Sequence, residues 1–305
     1  MSKQPRRLAP GSHIRVVAPA GRVDRDRLNL GIETLRQRGF TVSLGHHVWD
    51  RAGYLAGSDA DRAADLEEAL VDETVDAVIL ARGGWGSLRT LTCLHRERIA
   101  DAPAKIVLGY SDITALHAYL SQLDWVSFHG PLAESDWRDQ NGERALHVLS
   151  GGTGYLGDDP LEHLVDCGGW PEGAPATLIG GNLSVLTALL ATPFLPPLER
   201  GRVLYLEEVQ EAPYRIDRMM TQLRLAGVLS RVRAVVFGEA TRCAADPDVE
   251  GYTARDVVLT QCAAAGVDLY WGLAAGHGPT KWTLPLGWPV VLDGGRVRLR
   301  QPAVR

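Results

Sequence analysis

The segment K-I-V-L-G-Y-S-D-I-T-A-L, Lys105 to Leu116, places an apolar run, a tight turn and a helix start in succession. Ser111 lies in the turn. A serine between strand and helix can stand clear as a nucleophile, with the next residue's N–H aimed at an oxyanion. It can equally cap the helix, since Ser and Asp are both favoured there, and caps are far the commoner use. The strict G-x-S-x-G spacing is absent. A nucleophilic serine needs a base, and the base needs an orienting acid. Of the nine histidines, His277 in A-A-G-H-G-P-T is the most suggestive, because a Gly-rich loop readily presents an imidazole. His129, in F-H-G-P, ends a strand on the presumed ligand edge and is a candidate substrate contact. His117 sits inside the helix after Ser111, too displaced to face its hydroxyl. The pair His46-His47 follows a strand, with no acidic or cysteine pattern to make it a metal site. For the acid, L-Y-L-E-E-V-Q-E ends an apolar strand with Glu207 and Glu208. Neighbouring strand residues point to opposite faces, so these two acids cannot share one role.

A second turn carries similar chemistry. Arg82-Gly83-Gly84-Trp85-Gly86 follows one strand and opens a helix. Backbone N–H groups there can face an anion or a developing oxyanion, and glycine permits close approach. The segment has neither the G-K-[ST] of a P-loop nor the G-x-G-x-x-G of a dinucleotide site. The plain alternative is a tight turn that needs glycine for its φ angles.

The elements that must position these groups alternate along the first half of the chain. Apolar strands are expected at Ile14–Ala20, Phe40–Leu44, Val75–Ala81, Lys105–Leu108 and Trp125–His129. Helices are expected at Asp24–Arg38, from Ser58 to about Leu70, from Leu88, and after Ser111. Continuous apolar strands separated by helices imply an α/β fold with a parallel sheet covered on both faces. From about Asp136 to Ala176 the chain is rich in Gly and Pro and reads as a connection. The division is therefore 1–136, a linker 137–175, and 176–305. The last part offers a helix at Leu183–Leu190, a strand at 203–209, and an amphipathic helix around Ile216–Leu229. A strand at 234–238, a helix near Ala254–Ala264 and a strand-rich end complete a smaller mixed α/β domain. Ligands in such folds bind beyond the carboxyl ends of strands and between domains.

Composition excludes several classes. The chain has 305 residues, 45% apolar and 23% charged, enough to bury a sizeable core. A net charge of -5 gives no support to a nucleic-acid or acidic-membrane partner. No run approaches the roughly 18–20 apolar residues of a membrane span, and no signal peptide is visible. Cys93, Cys167, Cys243 and Cys262 are far apart and read as reduced thiols, which makes the cytoplasm the expected compartment.

Taken together and in order, R-G-G-W-G-S, G-Y-S-D-I-T-A-L, F-H-G-P, G-G-N-L, L-E-E-V-Q-E-A-P-Y-R-I-D-R-M and G-H-G-P-T…L-P-L-G resemble the LD-carboxypeptidases. This is a family of serine peptidases that takes in murein tetrapeptide carboxypeptidases and microcin C self-immunity peptidases. The resemblance covers nearly the whole chain. It implies a flavodoxin-like N-terminal domain, a smaller β-rich C-terminal domain and a site between them. It implies Ser111 as nucleophile, Glu207 as the acid and His277 as the base, with Gly84 and Asp112 N–H groups as the oxyanion hole. It further implies no metal or other cofactor, a small peptide substrate and a homodimer. The expected reaction is release of terminal D-alanine from a muropeptide during cell-wall recycling, with Arg82, Trp85 and His129 as candidate substrate contacts. The rival expectations are a microcin C-type immunity peptidase acting on aminoacyl-nucleotide toxins, with Trp85, Trp137 and Trp282 available to stack on a base, and a non-catalytic ligand-binding protein.

Overall fold

A computed structural model describes residues 2–199, 201–244 and 251–305 of the chain. The strands run in the order β1 (His13–Val17), β2 (Thr41–Leu44), β3 (Ala77–Leu80), β4 (Ile106–Gly109), β5 (Ser127–His129), β6 (Gly154–Tyr155) and β7 (Glu162–Val165). There follow β8 (Ala176–Asn182), β9 (Arg202–Val209), β10 (Ala234–Thr241), β11 (Asp268–Trp271), β12 (Leu284–Leu286), β13 (Pro289–Asp293) and β14 (Arg296–Leu299). The helices are α1 (Arg25–Gln37), α2 (Asp59–Val71), α3 (Ser87–Leu91), α4 (Arg96–Asp101), α5 (Thr114–Ser121), α6 (Gln140–Leu149), α7 (Leu183–Ala188), α8 (Pro213–Leu225) and α9 (Ala254–Ala265).

The apolar run Ala77–Leu80 is buried at every position, as is Ile106–Gly109, because helices cover both faces of the sheet they form. The order of that sheet is β12-β5-β4-β3-β1-β2, and β1 to β5 are mutually parallel. With β12 set aside this is the flavodoxin-like order. The chain reverses direction across the sheet between β1 and β3, where a crevice opens beyond the strand ends. Helices form where the sequence marks them. Asp24 caps α1 by accepting from the N–H groups of Asp26 and Arg27, and Leu28, Ile32 and Leu35 bury one face. Burying such side chains contributes roughly 1.5–3 kcal/mol each. Ser58 caps α2 in the same way.

The second sheet has eight strands in the order β6-β14-β13-β8-β9-β10-β11-β7. Its centre, β8 to β11, is parallel, and β7 and β13 pair antiparallel at its flanks. It is thus mixed α/β, as the sequence implies.

Three local expectations change. Residues 137–175 are not an unstructured connection: α6, β6 and β7 lie there, and both strands join the second sheet. Asp139 starts α6 by accepting from the Gly142 N–H at 2.8 Å, a cap hidden among glycines and prolines. Helix α8 ends at Leu225, not Leu229, since Gly227 takes φ +72 just beyond it. Finally, β12 lies late in sequence yet pairs with β5 of the first sheet, Leu284 opposite His129. No described helix is long and apolar enough to cross a membrane. All four cysteines are free thiols, with Cys243 and Cys262 buried.

Candidate active site

Strands β3 and β4 are parallel neighbours, so the turns leaving their carboxyl ends lie side by side. A Cβ added to Gly83 would fall 2.9 Å from the Ser111 Cβ, which is why that turn carries glycine. Ser111 itself has φ +66, a left-handed backbone that side chains other than glycine adopt at some cost. This conformation sets Ser111 apart from a helix cap. A capping residue has extended backbone, whereas the residue before the helical turn here is Tyr110, and no side chain caps it. The Ser111 hydroxyl instead faces His277, with Oγ 3.1 Å from Nε2.

The other imidazole nitrogen, Nδ1, lies 2.7 Å from Glu207 Oε2. Glu207 is fully buried at the end of β9, and a carboxylate there favours the tautomer with the proton on Nδ1. Nε2 is then free to accept from the Ser111 hydroxyl. Gly276 makes this approach feasible: a Cβ at that position would lie 2.6 Å from Glu207 Oε2. The loop is further held by the Tyr205 hydroxyl, which donates to the Ala275 carbonyl.

The neighbouring acid has a different task. Glu208 accepts from the Ser184 N–H at 2.8 Å and the Val209 N–H at 2.8 Å, tying β9 to the start of α7. Burial pushes its pKa up. Asn182 donates to both carboxylates, at 3.2 Å to Glu207 and 3.0 Å to Glu208, while its own oxygen caps α7. Asn182 ends the A-T-L-I-G-G-N segment, and only its place after two glycines hinted at a role.

The Asp112 carboxylate is turned away from the hydroxyl. It is fully buried and accepts from the Ser87 N–H at 2.7 Å, which joins the Ser111 turn to the start of α3. Its pKa is raised by burial. The Asp112 backbone N–H opens the helical turn, where no intrahelical acceptor exists. Gly84, with φ +99, lies in the adjoining turn and its N–H makes no backbone hydrogen bond.

The remaining candidates separate. Arg82 is exposed and donates to the Arg22 carbonyl at 2.8 Å. Trp85 is 40% exposed beside it. Trp137 is fully buried and cannot stack on a ligand; Trp282 is partly exposed, under the Arg144 guanidinium. His129 is a correction. It is 0% exposed, because β12 covers its strand and the rings of Tyr110 and Tyr205 flank it at 5.9 and 5.2 Å. A ligand in the cleft does not reach it, and burial holds its pKa well below the usual value. His117 is likewise buried, bonded to the Gly109 carbonyl and the Ser127 hydroxyl, with a pKa lowered to about 4. His47 does have acidic neighbours, Asp50 three residues further on at 2.9 Å and Asp61 from α2 at 4.0 Å. Hydrogen bonding to Asp50 raises its pKa.

Residues 14–130 match the LD-carboxypeptidase N-terminal domain, and residues 175–292 match the LD-carboxypeptidase C-terminal domain. The chain is 38% identical to the "Putative carboxypeptidase SCO6489" of Streptomyces coelicolor, over 99% of this chain and 97% of that protein. It is 32% identical to the murein tetrapeptide carboxypeptidase of Pseudomonas aeruginosa, over 93% of this chain and 94% of that one. Among solved structures, the microcin C7 self-immunity protein MccF bound to glutamyl sulfamoyl guanosine superposes with a TM-score of 0.86. That alignment covers 99% of this chain and 100% of the other at 20% identity, a likeness of fold.

Proposed function

Since the chain belongs to the LD-carboxypeptidase family, we propose that it is a serine carboxypeptidase with Ser111 as nucleophile, His277 as base and Glu207 as the orienting acid. The observation that carries this reading is the hydrogen-bonded line from Ser111 Oγ through the His277 imidazole to buried Glu207. His277 Nε2 takes the hydroxyl proton as Oγ attacks the carbonyl of the last peptide bond. Glu207 holds the imidazole and stabilises its cationic form. The N–H groups of Gly84 and Asp112 receive the oxyanion, each donor worth about 3–4 kcal/mol. His277 then protonates the leaving amine. Water, deprotonated by the same nitrogen, frees Ser111 from the acyl-enzyme. No step calls for a metal.

The substrate in this reading is a muropeptide ending in D-alanine, processed in the cytoplasm during cell-wall recycling. The murein-specific name and 32% identity of the Pseudomonas relative support it. Incubation with a muropeptide mixture, read by mass spectrometry, tests it directly. The intact chain is expected to shorten tetrapeptides by one D-alanine, and Ser111→Ala to leave them whole. Turnover retained in Ser111→Ala would remove Ser111 as nucleophile.

A further inference from the structure

The chemistry proposed above leaves the buried cation Arg62 without a task. Arg62 stands on α2 with its side chain wholly out of solvent. A charge placed there is costly unless partners meet it. Its Nη2 pairs with Asp59, one turn earlier on the same helix. Its Nη1 is given to backbone. It donates to the Pro19 carbonyl and to the Gly86 carbonyl, the latter at 2.9 Å, and lies 2.6 Å from the Thr90 hydroxyl oxygen. The turn is built to admit it, since a Cβ added to Gly86 would fall 2.7 Å from Nη1. Burial lowers the Arg62 pKa, yet a guanidinium stays charged at any ordinary pH.

Those two carbonyls bracket the turn that carries the Gly84 N–H. Pro19 stands two residues before Gly21, whose N–H donates to the Gly83 carbonyl at 3.0 Å. A peptide group is planar, with its N–H directed opposite to its carbonyl. The bond from Gly21 therefore sets where the Gly84 N–H points. At the far end of the turn, charge holds the Gly86–Ser87 peptide on both sides. Arg62 meets its carbonyl, and the buried Asp112 carboxylate accepts from its N–H at 2.7 Å. Arg62 in turn favours the ionised form of Asp112. Hydrogen bonds to ionised groups are about twice as strong as neutral ones. The turn needs such ties, because Gly84 and Gly86 have φ of +99 and +137, and glycine offers little resistance of its own to rotation.

We propose that Arg62 is a positioning residue for the oxyanion hole. Bonded to Pro19 and Gly86 together, and set against Asp112 across the Gly86–Ser87 peptide, it holds the turn so that the Gly84 N–H faces the oxyanion as it develops. It touches no reacting atom. The assignment rests on the peptidase reading of this site.

A boronic acid separates positioning from bare support of the fold. The probe is a peptide matching the acyl part of the substrate, with its terminal carboxyl replaced by a boronic acid. Ser111 Oγ bonds to boron as its proton passes to His277, and a boron hydroxyl takes the oxyanion's place. In Arg62→Met, kcat for D-alanine release and affinity for the boronic acid are both expected to fall about tenfold or more. KM, and the affinity of the intact tetrapeptide for the chain also carrying Ser111→Ala, should stay within about twofold, because those contacts precede the oxyanion. Loss of folded protein alone would lower the number of sites that titrate with the boronic acid and leave the affinity of the rest unchanged. Arg62→Lys, which keeps the charge, is expected to regain part of both losses. Thr90→Val removes a hydroxyl that touches both Arg62 and the Pro19 carbonyl, and serves where Arg62→Met fails to fold. A loss of about threefold in the same pattern is expected there. Unchanged boronic-acid affinity in these variants, or equal losses for tetrapeptide and boronic acid, would overturn the positioning role and leave the peptidase standing. Neither D-alanine release nor boronic-acid binding by the unaltered chain would sink the peptidase reading, and the role of Arg62 with it.

Discussion

At Ser111 the backbone and the chemistry pull apart. Its φ of +66 exposes the hydroxyl but strains the chain. Glycine tolerates that conformation freely, so Ser111→Gly should gain about 1 kcal/mol in thermal unfolding and lose all turnover. A stability loss would mean the hydroxyl contributes more than the strain removes. The paired glutamates allow a second residue-level test. Glu207→Gln should lower kcat by about 10³-fold or more with the fold intact, because the imidazole loses its anionic partner. Glu208→Gln should leave most of kcat and lower stability by about 1–2 kcal/mol, because the Ser184 N–H bond weakens. Kinetics and urea melts of both variants, run together, check this. The serine, histidine and two glutamates were all legible as residue types in turns and strand ends. Alternation says only that the two glutamates differ; it is the resemblance that singles out Glu207.

At the scale of elements, Asn182 links three of them. It ends β8, caps α7 and donates to the glutamates of β9. Asn182→Ala should cost about 1 kcal/mol for the cap and lower kcat several-fold as Glu207 loses a donor. Unchanged kcat with lowered stability would confine Asn182 to the cap. The parallel strands and their helices were readable because apolar runs and 3.6-residue spacing are local signals. His129 was misjudged for a reason of the opposite kind. It does end a strand, but β12 arrives from far along the chain to cover it, and a three-residue strand carries too short a pattern to announce its partner. The same limit hid α6, whose cap lies among turn-forming residues.

For the whole molecule, the buried histidines set an acid limit. The ordinary imidazole pKa is 6.5, and that of His117 in the fold is about 4. Between these values the unfolded chain binds a proton that the fold does not, so stability falls as pH drops through that window and levels below it. His117 alone should remove roughly 2 kcal/mol between pH 7 and pH 5, and His129 adds to it in the same direction. Urea midpoints at the two pH values, with His117→Gln expected to flatten the difference, measure this; an unchanged slope in that variant would exclude His117 as the source. The two-sheet plan was legible in advance, while the exchange between its halves was not. That exchange has a further consequence. Although β12 is the outermost strand of the first sheet, all three of its residues are buried, and it packs against β8 of the second sheet. Pro285, at its centre, has no N–H to offer, and just beyond it the Gly287 N–H donates to the Leu178 carbonyl of β8 at 2.8 Å, so the protein's own second sheet closes this edge. A strand of another molecule could reach that edge only after the two sheets had parted.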